Sequence, residues 1–225
     1  MSPQFVDLNA DGHLDIVAGT FDGSPHVAFG TAKGWKQPEY ILDKNGERIG
    51  LNEFWDFDIK RWVTTKRCDA PGTEGTGHMT SVLAVDWDGD GDQDLLLGDH
   101  RSGRIHLRLN EGSATKAAFA ATNAPVLADG KPLDVPGTVA TMRLFDWDKD
   151  GRLDLLCGGM GETPGASEGG GVYLYRNTST EAPAFTFAAP IQRSENCSST
   201  AKAGSTRVRW RPPTSANGGE VTTAR

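Results

Sequence analysis

The chain has 225 residues, with 23 basic against 30 acidic side chains, a net charge of −7, and 28 glycines. That balance argues against nucleic acid, which calls for a basic stripe, and no apolar run approaches the ~18 residues of a membrane-spanning helix. Three cysteines, Cys68, Cys157 and Cys197, are too few for a disulfide framework. Abundant glycine, recurring turn chemistry and the lack of helix-periodic segments predict an all-β chain of many short strands.

In chain order, residues 4–8 read as a first strand and 14–19 as its hairpin partner. Between them runs an acidic loop, Asp7, Asn9, Asp11, Gly12, His13 and Asp15, leaving through Ile16-Val17-Ala18-Gly19. Phe21-Asp22-Gly23-Ser24-Pro25 is a turn, residues 26–30 and 38–42 make a third and fourth strand, and Asn45-Gly46 is a hairpin signal. Met1 stands four residues from Phe5, so the chain is expected to begin inside a longer protein, as a fragment without its export signal.

The same score is played twice more. Residues 81–85 lead into Asp86-Trp87-Asp88-Gly89-Asp90-Gly91-Asp92-Gln93-Asp94, the exit is Leu95-Leu96-Leu97-Gly98, and strands follow at 104–110 and 119–127. An Asp129-Gly130 turn echoes the earlier Asn-Gly. Then residues 139–145 lead into Asp146, Asp148, Asp150, Gly151, Arg152 and Asp154, the exit is Leu155-Leu156-Cys157-Gly158, and strands follow at 172–177 and 184–187. Sixty residues separate Asp86 from Asp146 and 79 separate Asp7 from Asp86, the excess lying in an insertion. The organisation is therefore a unit over 1–50, an insertion over 51–79, units over 80–135 and 136–193, and a disordered or truncated tail over 194–225. Three matching copies are an internal repeat.

The loops carry the chemistry. Oxygen side chains at positions 1, 3, 5 and 9, a glycine at 6 and a carbonyl available at 7 suit a hard cation of calcium's size. His13 and Arg152, at position 7, are read as lending a carbonyl; Asp92 fills that place in the middle copy. An EF-hand would need a bidentate Glu at position 12, where this chain has Ala18, Leu97 and Cys157. The apolar run after each loop suits a buried strand, so the Asp at position 9 must close the coordination. Up to three structural Ca2+ ions are expected.

The Asp-x-Asp/Asn-x-Asp-Gly-x-x-Asp loop, the apolar run to glycine and the Val172-Tyr173-Leu174-Tyr175-Arg176-Asn177 strand resemble FG-GAP/VCBS-type repeats, the calcium-loop blades of integrin alpha propellers and many secreted bacterial proteins. The resemblance covers about residues 3–190 outside the insertion. It implies β-propeller blades, about three four-stranded ones of a ring of about seven, with the remaining blades of the parent protein as partners. It further implies a secreted, periplasmic or cell-surface location and a binding or scaffold role toward a carbohydrate or protein ligand.

In a four-strand meander the turn between strands two and three and the link to the next blade lie at the end opposite the metal loop. Both the insertion and the glycine-rich stretch 159–170 map there, and long loops gathered on a rigid scaffold favour binding. Phe54, Trp55, Phe57 and Trp62, beside Asp56, Asp58, Lys60 and Arg61, are the candidate ligand surface. Their bland alternative is a local mini-core. His78, His100 and His106 have no partner constellation in sequence and read as surface or strand residues, His106 pointing outward from Ile105 and Leu107. No nucleophile or phosphate-cradling motif is present. The alternative to a binding module is a propeller-based polysaccharide lyase or glycosidase, for which Glu162, Glu168 and Asp58 are the available carboxylates.

Overall fold

The computed structural model of the chain describes residues 3–64, 77–161, 169–180 and 183–193, and among these it contains strands and turns but no helix. The strands are β1 (Gln4–Val6), β2 (Asp15–Gly19), β3 (Pro25–Ala28), β4 (Gly30–Thr31), β5 (Gly34–Trp35) and β6 (Glu39–Tyr40). A separate hairpin, β7 (Glu53–Asp56) and β8 (Arg61–Thr64), follows. Then come β9 (Met79–Val85), β10 (Asp94–Asp99), β11 (Ile105–Arg108), β12 (Ala124–Pro125), β13 (Leu127–Ala128) and β14 (Lys131–Pro132). The last four are β15 (Thr138–Phe145), β16 (Asp154–Gly161), β17 (Gly169–Asn177) and β18 (Phe185–Arg193).

They assemble into three successive sheets, ordered β1-β2-β3-β6, β9-β10-β11-β12 and β15-β16-β17-β18, with β13 and β14 added beyond β18. Each is an antiparallel meander whose first hairpin is closed by an acidic loop. The expected four-strand units are present. The fourth strand of the second unit differs in extent. Only Ala124–Pro125 pairs with β11, while Leu127–Ala128 crosses to the third sheet. Val126 N–H makes a last bond to the Ile105 carbonyl (3.0 Å) before the chain leaves the sheet.

The core lies between sheets rather than within one. Leu95, Leu96 and Leu97 are all fully buried. Leu95 and Leu97 pack with Val17, Val27, Ile49 and Leu51 toward the first sheet, whereas Leu96 packs with Ala140, Met142 and Leu155 toward the third. A strand covered on both faces needs an unbroken apolar run, which is what β10 has. The outer sheets show the contrast: Ile16, Ala18 and Leu156 are only half-buried.

The glycine ending each run has a steric reason. A Cβ on Gly19 would stand 2.9 Å from the Ser81 backbone, and one on Gly98 would stand 2.1 Å from the Ala140 carbonyl oxygen. The same place in the third sheet, Gly158, meets only its own sheet's Thr141 Oγ1 at 2.8 Å.

Two further devices join neighbours. After β6 the chain turns at Asn45-Gly46, and Asp43 forms a parallel bridge with Phe119 of the second unit. After β12 it turns at Asp129-Gly130, both at positive φ, and Ala128 forms a parallel bridge with Phe185 of the third. A polar network also crosses the first interface. Buried Arg108 donates to Asn123 Oδ1 (2.6 Å) and the Ala120 carbonyl (2.5 Å) and stands 3.9 Å from Asp43, while Asn123 donates to the Gly50 carbonyl (3.1 Å).

His106 corrects an expectation. It pairs with Leu97 across the ladder and therefore shares that residue's face toward the first sheet, where it is fully buried. Both faces of β11 are covered, so alternation alone does not place a side chain in water there. Cys157, expected as a small buried apolar residue, is fully enclosed, and burial pushes its thiol pKa far up. Expectations concerning Cys68, Cys197, Glu162, Glu168 and the tail lie outside the described residues.

Candidate functional site

The three acidic loops share one hydrogen-bond scheme. The carboxylate at position 1 is a hub for backbone N–H groups: Asp7 accepts from Asp11 and Gly12 (3.1 and 2.9 Å), Asp86 from Gly89 and Gly91 (2.8 and 3.1 Å), and Asp146 from Asp150 and Gly151 (3.0 and 2.9 Å). Gly12, Gly91 and Gly151, at position 6, all have positive φ, which makes glycine the fitting residue.

Position 9 is a clamp. Asp15 accepts from Leu8 N–H and Gly30 N–H (2.9 and 2.7 Å), Asp94 from Trp87 and Asn110 (2.8 and 2.6 Å), and Asp154 from Trp147 and Asn177 (3.1 and 2.9 Å). Each thus ties the start of its loop to the end of the third strand, at under 2% exposure. An oxygen accepting one hydrogen bond keeps a lone pair for a cation.

Carboxylates at positions 1, 3 and 9 converge in the second and third loops. Oxygens of Asp86, Asp88 and Asp94 lie within 4.8 Å of one another, as do those of Asp146, Asp148 and Asp154. The first loop has Asn9 in place of the position 3 carboxylate, and the Asn9 amide donates to Asp11 (3.2 Å). The carboxylates at position 5 stand outside the convergent sets, because Asp11, Asp90 and Asp150 each accept the N–H of position 7 instead (2.9, 3.0 and 2.9 Å).

Position 7 varies. His13 is exposed. Arg152 folds back onto Asp150 and donates to the Asn177 carbonyl (2.9 Å). Asp92 is buried with Oδ1 unpartnered among the described residues. Burial, then Asp90, Asp94 and Asp88, push the Asp92 pKa up to about 6, and burial also raises that of Asp94. Two all-oxygen clusters, one with an orphaned buried carboxylate oxygen beside it, are a donor set that fits Ca2+.

Residues 86–157 match the FG-GAP-like repeat family, a stretch that opens on the second loop and ends on the apolar run after the third. That stretch is FG-GAP-like. No curated protein and no solved structure matches the chain. The FG-GAP match and the three stacked meanders describe the same thing, a series of β-propeller-type blades.

At the opposite end of these FG-GAP blades the insertion meets the turns between second and third strands. Trp55 N–H donates to the Asp22 carbonyl (2.7 Å), and Arg101 pairs with Glu53 (3.2 Å). The four aromatic candidates do not form one surface. Trp55 and Trp62 oppose each other across the β7–β8 hairpin, with ring centroids 5.8 Å apart. Phe54 lies on the other face under the Arg48 guanidinium, which is held between Phe54 and Tyr40 (4.3 and 4.2 Å). Phe57 sits in the hairpin turn, 61% exposed. Asp58 belongs to that same turn, which the Asp56 carboxylate forms by accepting the Asp58 and Ile59 N–H groups (2.9 and 3.1 Å).

The cluster that does form joins Trp62 to residues the sequence reading left apart. Trp62 stacks near His78 (4.4 Å), His78 on His100 (4.6 Å, 17°), and Phe21 meets the edges of Trp62, His78 and His100 (6.2, 5.5 and 6.1 Å). The expectation that His78 and His100, read as surface or strand residues, have no partner constellation is thereby corrected. A signal was available: Phe21 and His100 occupy the same position of consecutive repeats, 14 residues after Asp7 and Asp86. Burial, with His100 beside it, holds His78 below the ordinary imidazole pKa. The stacked rings direct their in-plane lone pairs side by side rather than to one point, so this pair suits hydrogen bonding and ring contact better than chelation.

Proposed function

We propose that the chain is a calcium-stabilised segment of an exported, FG-GAP-type propeller that acts as a binding or scaffold module. The remaining blades of a longer protein would cover its outer sheet faces. The observation that carries the calcium reading is the convergence of Asp86, Asp88 and Asp94, and of Asp146, Asp148 and Asp154, into all-oxygen clusters at the ends of β-hairpins. Calcium there neutralises carboxylates that otherwise repel one another and pins the loop to the clamp at position 9. With dissociation constants of about 0.1–1 mM and millimolar calcium, each filled site stabilises the fold by roughly 0.4–1.4 kcal/mol.

Ligand binding belongs at the opposite end, where Phe21 and Trp62 are 61% and 37% exposed beside His100. Flat apolar rings next to imidazoles suit a carbohydrate, whose C–H face stacks and whose hydroxyls both donate and accept. A protein ligand is the second occupant. Of the carboxylates available for glycoside cleavage, Glu162 and Glu168 lie outside the described residues, and Asp58 stands exposed in the β7–β8 turn.

Thermal unfolding with chelator and with added calcium tests the metal reading. A melting temperature that rises with calcium and falls with chelator supports it, and an unchanged curve refutes it. A carbohydrate array followed by product assay separates a binding module from an enzyme.

A further inference from the structure

We infer that Arg176 is a built-in counter-ion of the third loop, so that the three loops differ in kind: the second answers to calcium and the third is largely neutralised by the protein itself. The inference rests on the calcium reading above and extends it to the choice between sites.

In the third unit the residue just before the clamp's second N–H donor reaches back to the loop. In the first unit that donor is Gly30 and the residue before it Phe29; in the second they are Asn110 and Leu109; in the third, Asn177 and Arg176. Only the third copy places a cation there. Arg176 Nη1 stands 2.7 Å from Asp148 Oδ2 and 2.9 Å from Asp154 Oδ2. These are two of the three carboxylates whose oxygens converge in that loop.

The guanidinium therefore engages two of the carboxylates that a divalent ion would collect. Arg152 adds a second positive charge at Asp150. None of the five aspartates of the second loop pairs with a lysine or arginine of the described residues. That loop keeps the unpartnered Asp92 oxygen as well.

A guanidinium stays protonated at any pH the fold survives. Calcium entering the third loop must displace it, whereas calcium entering the second displaces only water. Arg176 has the further effect of holding the third hairpin together when calcium is scarce. The second loop, with five carboxylates and no internal cation, is then the part of the protein most sensitive to calcium withdrawal.

The experiment uses terbium as a calcium probe, excited through tryptophan, because Trp87 and Trp147 sit at position 2 of the second and third loops. Asp88→Asn and Asp148→Asn assign each signal to its loop. In the parent chain the second loop should bind at least about tenfold more tightly than the third, and Arg176→Met should tighten the third about tenfold while leaving the second unchanged. In chelator, Arg176→Met should melt below the parent, and on adding calcium it should gain more.

The reciprocal variant, Leu109→Arg, should weaken the second loop by a similar factor, which keeps the test open if Arg176→Met folds poorly. Terbium bound at the second loop with unchanged third-loop affinity in Arg176→Met and unchanged second-loop affinity in Leu109→Arg overturns the inference and leaves the calcium reading standing. No terbium bound at any loop overturns both.

Discussion

Replacing His106 by leucine is expected to remove a specific acid sensitivity of the fold. His106 is fully buried between the first and second sheets, and neither ring nitrogen has a hydrogen-bond partner among the described residues. Burial, with a small contribution from Arg104, pulls its pKa down to about 4 from the ordinary 6.5. A base with a lowered folded pKa binds fewer protons folded than unfolded, so its contribution is fully present above pH 6.5 and is lost as pH falls toward 4. At pH 4.5 the loss is about 2.5 kcal/mol, from 1.36 kcal/mol per pKa unit. Urea unfolding in chelator at pH 7.5 and 4.5 isolates it as the difference between the two chains. His106→Leu should match or exceed the parent at pH 7.5, since no hydrogen bond is lost, and should lose about 2.5 kcal/mol less on acidification. Parallel losses, within about 0.5 kcal/mol, would show that the imidazole is not held neutral by burial and refute the reasoning.

Gly98→Ala should destabilise by about 3 kcal/mol or more, because its Cβ meets the backbone of the next sheet, while Gly158→Ala meets only a rotatable threonine and should cost about 1 kcal/mol or less by urea unfolding. Asp15→Ala strands the Leu8 and Gly30 N–H groups and should cost about 2–4 kcal/mol even in chelator; an effect seen only with calcium present would mean that Asp15 is a ligand and not a clamp. The Gln4 amide both accepts from Ala84 N–H (2.7 Å) and donates to the Ala84 carbonyl (2.8 Å), so Gln4→Ala should lower stability by about 1–2 kcal/mol without changing terbium binding at the second loop.

Much of this was legible in the chain. Loop spacing, the apolar exit and the turn pairs Asn45-Gly46 and Asp129-Gly130 report local geometry, and they located the hairpins of all three units. The acidic residues at positions 1, 3 and 9 were visible too, because alternation in a tight loop turns side chains to one point. What spacing does not carry is competition for those oxygens: that position 5 turns back on its own backbone, and that Arg176 reaches in from the far strand, depend on contacts across the sheet. His106 was misjudged for a related reason, since a period of two says which residues share a face but not whether that face is covered. His78 meets His100 because it continues the β9–β10 ladder past the Met79–Asp99 pair, its carbonyl accepting the His100 N–H (2.9 Å), a cross-strand pairing that a lone histidine in sequence does not announce.

The parallel bridges from Asp43 to Phe119 and from Ala128 to Phe185 mean that the closing turns of the first and second units are lodged on their successors. The natural cutting points are therefore out of step with the sequence period. A recombinant piece trimmed at the ends of a repeat would surrender a turn that belongs to the neighbour and keep one with nowhere to dock. Grafting or swapping blades in this chain calls for breaks placed after the bridge, near residue 133, rather than after the fourth strand.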